Sequence, residues 1–340
     1  MKKIVTFGEI MLRLAPENYL RFVQSEKMET TYGGAEANVA VSLSNYGDHA
    51  VFVTKLPAHE IGQAAVNSLR RYGVDTSEIV RGGNRIGIYF CEKGASQRPS
   101  KVIYDRKHSA IAEAKREEFD WIKIMEGADW FHFTGITPAL GKETAEICLD
   151  AVKTAKERGI TVSCDLNYRK KLWSGEKASK TMGELCKYTD YCIANEEDAK
   201  EVFGIEAEES DIRGGKLSER GYLSVAERLT EKFGFKGVAI TLRESRSASD
   251  NDWSGLLYME GRGYFSKKYP VHIVDRVGGG DSFCGGLIHA LIHEYAPQRA
   301  IDFSVAASCL KHSIEGDFNL VSLAETEALA DGDSSGRVQR

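Results

Sequence analysis

One local unit recurs along this chain: an amphipathic helical stretch, a glycine suited to the left-handed conformation that ends a helix, then a short β-branched run. Gly47 precedes residues 51–56, Gly159 precedes 160–165 and Gly234 precedes 237–242, with Gly73 and Gly204 as two further helix stops. The runs 4–7, 130–134, 191–194 and 238–241 are apolar at consecutive positions, as strands buried on both faces are. They predict an α/β fold with a mostly parallel central sheet covered by helices on both sides. In such sheets ligands bind beyond the carboxyl ends of the strands. With 340 residues, 42% apolar and 28% charged, the chain has room for one large α/β domain plus a small accessory element, so residues 1–340 are read as a single domain.

Two segments break the alternation. Residues from about 9 to 32 and from about 83 to 108 carry short alternating runs, such as GIYFCE at 87–92 and KVIYD at 101–105, with little helical period. They predict a small β-sheet inserted outside the main one, a lid. Residues 206–221 are polar, charged and glycine-bearing and read as an exposed loop between helices, and the polar tail after Asp331 reads as loosely held.

Several function classes are disfavoured at once. A formal net charge of -5 lacks the basic excess that nucleic-acid binding demands. Glu9 and Arg13 interrupt the N-terminal apolar run before a signal-peptide core forms, and no apolar stretch approaches a membrane span. Seven scattered cysteines without a C-x-x-C pair argue against a disulfide framework or a zinc site and fit reduced thiols in the cytoplasm.

The segment richest in chemistry is VDRVGGGDSFCGG at 274–286, followed by an apolar helical run. The consecutive Gly278, Gly279 and Gly280 leave backbone N–H groups free to converge at a helix N-terminus, where an anion belongs. Asp281 follows directly, placed to accept a proton from a hydroxyl attacking a bound phosphate. The plainer alternative makes the glycines a tight turn and Asp281 a helix cap. A second glycine motif, YGGAEAN at 32–38, opens a helix; Gly33 and Gly34 admit a ligand to the backbone, and Asn38 offers a donor and an acceptor to a polyol. Its alternative is a glycine-rich helix start packed on a neighbour.

Together these residues resemble the ribokinase family of carbohydrate kinases, also called the PfkB family. The resemblance spans nearly the whole chain, from FGE at 7–9 through G-G-x-x-x-N at 33–38 to G-x-G-D at 278–281, two motifs about 240 residues apart. It implies a ribokinase-like three-layer sandwich with a β lid closing over the sugar, and ATP with Mg²⁺ carried on it rather than on a direct protein site. It further implies Asp281 as catalytic base, Gly278, Gly279 and Gly280 as an anion hole, and a nucleotide end formed by Asn167, Asn195, Asp198, Thr241 and Arg243. The chain departs from the family pattern in places. Asp275-Arg276-Val277 stands where Asp-Thr is usual and Gly279 where alanine is usual, which leaves a monovalent-cation site at that loop open. Asp198 ends an N-x-x-D where the family has N-x-x-E, and TLRES at 241–245 replaces a glycine-rich nucleotide loop.

Residues able to read a carboxylate narrow the substrate. Arg106 in YDR at 104–106 and Arg169 in DLNYR at 165–169 carry the side chain best matched to that group, and Tyr89 and Tyr104 alternate on the lid where they can cover a sugar. The alternative is that the arginines form surface ion pairs and the tyrosines fill the lid. This combination is similar to the 2-keto-3-deoxygluconate kinases, which implies phosphorylation of a sugar acid at its C6 hydroxyl and a sugar contact from Asp317 in GDF at 316–318. Rival readings are a fructokinase- or ribokinase-type enzyme of the same family, or a silent sugar-acid-binding regulator. His289 and His293 have the four-residue spacing of a metal pair but lack the glutamate of the zinc-protease motif, and they read as packing histidines. A homo-oligomer, a dimer joined through the lid edge, completes the expectations.

Overall fold

The structure is a computed structural model that describes residues 1–195, 197–206 and 219–333. Most of the expected loop (207–218) and the end of the tail (334–340) therefore lie outside the described residues.

The central sheet has nine strands. Six run parallel in the order Gly237–Ser245, Tyr191–Ala194, Thr161–Asp165, Trp130–Thr134, Lys3–Phe7 and His49–Val53. Consecutive residues alternate between its faces. Val5, Phe7, Val51 and Val53 join the core beneath helices Lys142–Glu157 and Gly175–Cys186, whereas Ile4 and Phe52 join the opposite core beneath Ala35–Asn45, Gly279–Ile292 and Pro297–Lys311. Burial on both faces is why these strands read as unbroken apolar runs. All five helix-stopping glycines, 47, 73, 159, 204 and 234, adopt positive φ.

Two local expectations are corrected. The run 51–56 divides: His49–Val53 stays in the central sheet, while Lys55–Leu56 leaves it to pair with Val80–Arg81. The last parallel strand also continues to Ser245, and the sheet then turns antiparallel through Asp250–Met259, which pairs with Arg262–Phe265 and Tyr269–His272. No helix separates these strands, so the helix–glycine–strand pattern carries no trace of them.

The small sheet forms where the two alternating segments lie. Its order is Glu29–Gly33, Met11–Ala15, Gly87–Glu92, Lys101–Asp105, antiparallel except for the central pair. Register places Arg13 opposite Tyr89 and Tyr89 opposite Tyr104, so these three side chains share one face. No helix among the described residues is long and apolar enough to cross a membrane. All seven cysteines are free thiols, six of them buried.

Helices Ala35–Asn45 and Gly279–Ile292 pack side by side, and Gly285 is where they approach most tightly. A Cβ at Gly285 would lie 2.6 Å from Cβ of Ser42. Gly285→Val should push the helices apart and lower stability by about 3 kcal/mol, the scale of an overpacked core. An unchanged urea midpoint in this variant would contradict that packing.

Candidate active site

The parallel strands end at a cleft of about 460 Å³. Its floor is the N-terminus of helix Gly279–Ile292, capped by Gly278 at φ 83°. Only glycine fits there, because a Cβ would lie 2.0 Å from the Asp317 carbonyl oxygen. First-turn amides of a helix lack partners within it. Ser282 N–H donates to the Gly278 carbonyl at 2.8 Å, while Gly280 and Asp281, which line the cleft, have no recorded backbone acceptor. Gly279 departs from the expected anion hole: its N–H donates to the Arg276 carbonyl at 3.3 Å, and its Cα faces the His312 ring instead of the cleft.

Asp281 is not a helix cap. Its Oδ2 accepts a hydrogen bond from Asn38 Nδ2 at 2.6 Å, across to the neighbouring helix, and Asn38 Oδ1 in turn accepts the Gly34 N–H at 3.3 Å. Asn38, expected to meet a polyol, thus orients the carboxylate. Burial pushes the Asp281 pKa up to about 6; the Asp317 charge adds to this, and the Asn38 hydrogen bond, Arg169 and Lys311 oppose it. A carboxylate so tuned is ionised at neutral pH yet a better base than a solvated aspartate.

The sheet wall holds Asp165, Asn167 and Asn195, at or beyond strand ends, with Thr241 and Arg243 in Gly237–Ser245 just past its last residue paired with Tyr191–Ala194, and all five line the cleft. Asn167, at φ 38°, donates through its N–H and Nδ2 to Asp165 at 3.1 and 3.2 Å. Burial, then the charges of Asp198 and Asp281, holds the Asp165 carboxyl well above the usual range. Asp198 does not reach the cleft. Its two oxygens accept the N–H groups of Tyr168 (3.0 Å) and Asn195 (3.2 Å). Glu197, beside it, lines the cleft.

The third wall is the Arg13–Tyr89–Tyr104 face of the small sheet. Arg13 is only 2% exposed, and its guanidinium bridges Asp275 Oδ2 at 2.7 Å and Asp317 Oδ1 at 2.8 Å. The Tyr89 hydroxyl donates to the other oxygen of Asp317. Asp275 also accepts the N–H groups of Val277 and Gly316. Asp317 lines the cleft, as expected of a sugar contact, with both its oxygens already oriented by hydrogen bonds from Arg13 and Tyr89. A Cβ on Gly33 would collide with the same carboxylate, at 2.0 Å.

Arg106 does not form a surface ion pair. Its Nε lies 3.3 Å from Glu9 Oε2, its guanidinium stacks over the Tyr104 ring at 4.6 Å, and Glu9 is held from behind by Ser109 Oγ at 2.9 Å. Arg169 is exposed at the opposite lip and donates to the Tyr168 carbonyl at 3.3 Å. Arg276 and His312 also line the cleft, and Lys311 is buried beside Gly278; none was read as a site residue from the sequence. Arg13 had one usable signal, since it falls in the inward phase of MLRLA at 11–15, between Met11 and Ala15.

Breaking the Arg13 bridge would leave two buried carboxylates unpaired. Arg13→Met should lower stability by about 3–5 kcal/mol, and adding Asp317→Asn should recover part of it. A wild-type urea midpoint for Arg13→Met would contradict the bridge.

The chain matches the pfkB family of carbohydrate kinases over residues 1–319. It is similar to a 2-dehydro-3-deoxygalactonokinase of Haloferax volcanii, 31% identical over 98% of each chain. It is also similar to a 2-dehydro-3-deoxygluconokinase of Thermoproteus tenax, 28% identical over 93% of this chain and 90% of that one. Among solved structures, a 2-dehydro-3-deoxygluconokinase from Thermotoga maritima is 56% identical with a TM-score of 0.94, covering 98% of this chain and 100% of its own. With a G-x-G-D turn that leads into the cleft-floor helix, and with matching sequence over almost its full length, this chain belongs to the PfkB family of carbohydrate kinases.

Proposed function

We propose that the chain transfers the γ-phosphate of ATP to the C6 hydroxyl of 2-keto-3-deoxygluconate. The observation that carries this reading is the Asp281 carboxylate on the cleft floor, gripped by Asn38 and flanked by the open first-turn amides of Gly280 and Asp281. The C6 hydroxyl attacks the γ-phosphorus, its proton passes to Asp281, and the bond to the β–γ bridging oxygen breaks to release ADP. The amides, with the positive end of the helix, receive charge on the phosphoryl oxygens.

The nucleotide end is Asn195, Thr241, Arg243 and Arg276, where the last parallel strands finish. Mg²⁺, which takes oxygen ligands and keeps several waters, would travel on the ATP phosphates with Glu197 as the nearby carboxylate, and it supplies charge neutralisation there. The small sheet serves as the lid over the sugar. Arg106, preset by Glu9 and Tyr104, and Arg169 from the opposite lip take the substrate carboxylate. The commitment to the gluconate epimer follows the Thermotoga relative; the galactonate epimer, named for the Haloferax relative, is the competing substrate. Free buried thiols suit a reducing, cytoplasmic setting. A second copy would join along the edge strand Lys101–Asp105, whose Ile103 is 55% exposed.

An ADP-release assay across the two sugar acids, fructose and ribose tests the substrate. The gluconate acid should give the highest kcat/KM. Arg106→Ala and Arg169→Ala should each raise its KM by about 10–100-fold, the worth of a charge-assisted contact, while leaving neutral sugars unaffected. A neutral sugar preferred by the wild type would overturn the assignment.

Asp281→Asn should keep the fold but lower kcat by about 10²–10⁴-fold. Because the raised pKa lets Asp281 take up a proton below about pH 6, wild-type kcat/KM should fall about tenfold per pH unit below that point. A profile flat down to pH 4.5 would refute the base.

A further inference from the structure

The floor helix Gly279–Ile292 has a second end. Its last turn puts His289 and His293 on one face, and the fold brings to them Asp48, from the turn after helix Ala35–Asn45. His289 Nδ1 lies 2.7 Å from Asp48 Oδ2, and His293 Nε2 lies 2.8 Å from Asp48 Oδ1. The three donor atoms lie within 4.8 Å of one another. Asp48 is buried, and among the described residues its ion-pair partners are these two imidazoles, with no lysine or arginine beside them.

We propose that Asp48, His289 and His293 form a binding site for a divalent transition-metal ion of the Zn²⁺ type. Sequence spacing alone left the histidines as packing residues; the third ligand, 241 residues from His289, changes that reading. Two imidazoles and one carboxylate are a borderline-soft set that suits Zn²⁺, Co²⁺ or Ni²⁺ and discriminates against Mg²⁺, which takes oxygen ligands. Histidines four apart on one helix face can reach a single ion. Ligand atoms about 2.0–2.2 Å from a tetrahedral ion sit roughly 3.3 Å apart, so binding opens the two contacts to Asp48 by about half an ångström and draws the three donor atoms, now within 4.8 Å of one another, onto a single centre. His289 packs against the rings of Tyr46 and Phe303, at 5.2 and 5.5 Å, which restrains its plane. The His293 side chain is 38% exposed, which provides an entry path and a solvent side for a water ligand.

This site is distinct from the phosphate end of the cleft. Twelve residues of helical rise, about 18 Å, separate His293 from Asp281. The same two helices meet at both places, through Asn38 and Asp281 at their N-terminal ends and through this cluster at their C-terminal ends. A bound ion would staple the far end of the pair and stabilise the fold without touching the reacting groups.

The test uses EDTA-treated full-length protein without nucleotide, titrated with Zn²⁺ by calorimetry and with Co²⁺ by visible absorption, with melting followed in parallel. One equivalent should bind, raise the Tm and resist excess Mg²⁺. His293→Gln, at a half-exposed helix end, should weaken binding by more than about tenfold, since losing even an outer-shell partner costs that much. Asp48→Asn should do the same, whereas His272→Gln, an exposed histidine paired with Asp250, should bind as wild type. Absence of binding, or unchanged binding in His293→Gln and Asp48→Asn, overturns the proposal and leaves a hydrogen-bonded histidine–aspartate staple.

Discussion

The arrangement of the cleft depends on one buried guanidinium. Arg13 stands on the small sheet, while both its partners belong to the region around the glycine turn: Asp275, three residues before Gly278, and Asp317, whose carbonyl packs against that glycine. Two carboxylates this close and this buried would repel each other and would not both stay ionised without a cation between them. Arg13 supplies that charge in a planar fork that satisfies both at once. Asp275 is thereby free to use its remaining capacity on the Val277 and Gly316 amides, and these bonds shape the turn. A sheet inserted far from this loop in sequence thus determines where the loop sits.

The same charge arrangement bears on Asp281. Its carboxyl is raised mainly by burial and next by Asp317, and Asn38, Arg169 and Lys311 pull the other way. Had Asp317 lacked Arg13, a further unscreened negative charge would have stood near Asp281 and pushed its proton affinity toward that of Asp165, which burial and neighbouring carboxylates hold well above the usual range. Asp165 is then suited to a structural bond with Asn167, while Asp281 keeps a pKa at which it is ionised and still basic. Two aspartates on one cleft acquire different roles through their neighbours alone.

What the sequence made legible follows physical lines. Period and punctuation located Trp130–Thr134, Tyr191–Ala194, Gly87–Glu92 and Lys101–Asp105, because strands buried on two faces or alternating on one leave a local record. Asp281 was readable because its glycines are contiguous with it. By contrast, Arg13 acts through Asp275 and Asp317, partners that only the fold delivers, and no local pattern announces a partner hundreds of residues away. Asp198 shows the reverse failure. The family resemblance placed it at the nucleotide end, but its carboxylate accepts the Tyr168 and Asn195 amides, while Glu197 beside it lines the cleft.

The two arginines proposed to take the substrate carboxylate, Arg106 and Arg169, both line the cleft but differ in how they are held. Arg106 is held by Glu9 and by the Tyr104 ring before any ligand arrives, so little side-chain entropy remains to be lost when it meets a carboxylate. Arg169 is exposed, and among the described residues its hydrogen bond is one to its neighbour's carbonyl at 3.3 Å. On the proposed function, preorganisation would let Arg106 meet a substrate carboxylate at the smaller entropic cost of the two. Arg169 would carry a larger ordering cost, since an exposed guanidinium loses more side-chain freedom on meeting a ligand.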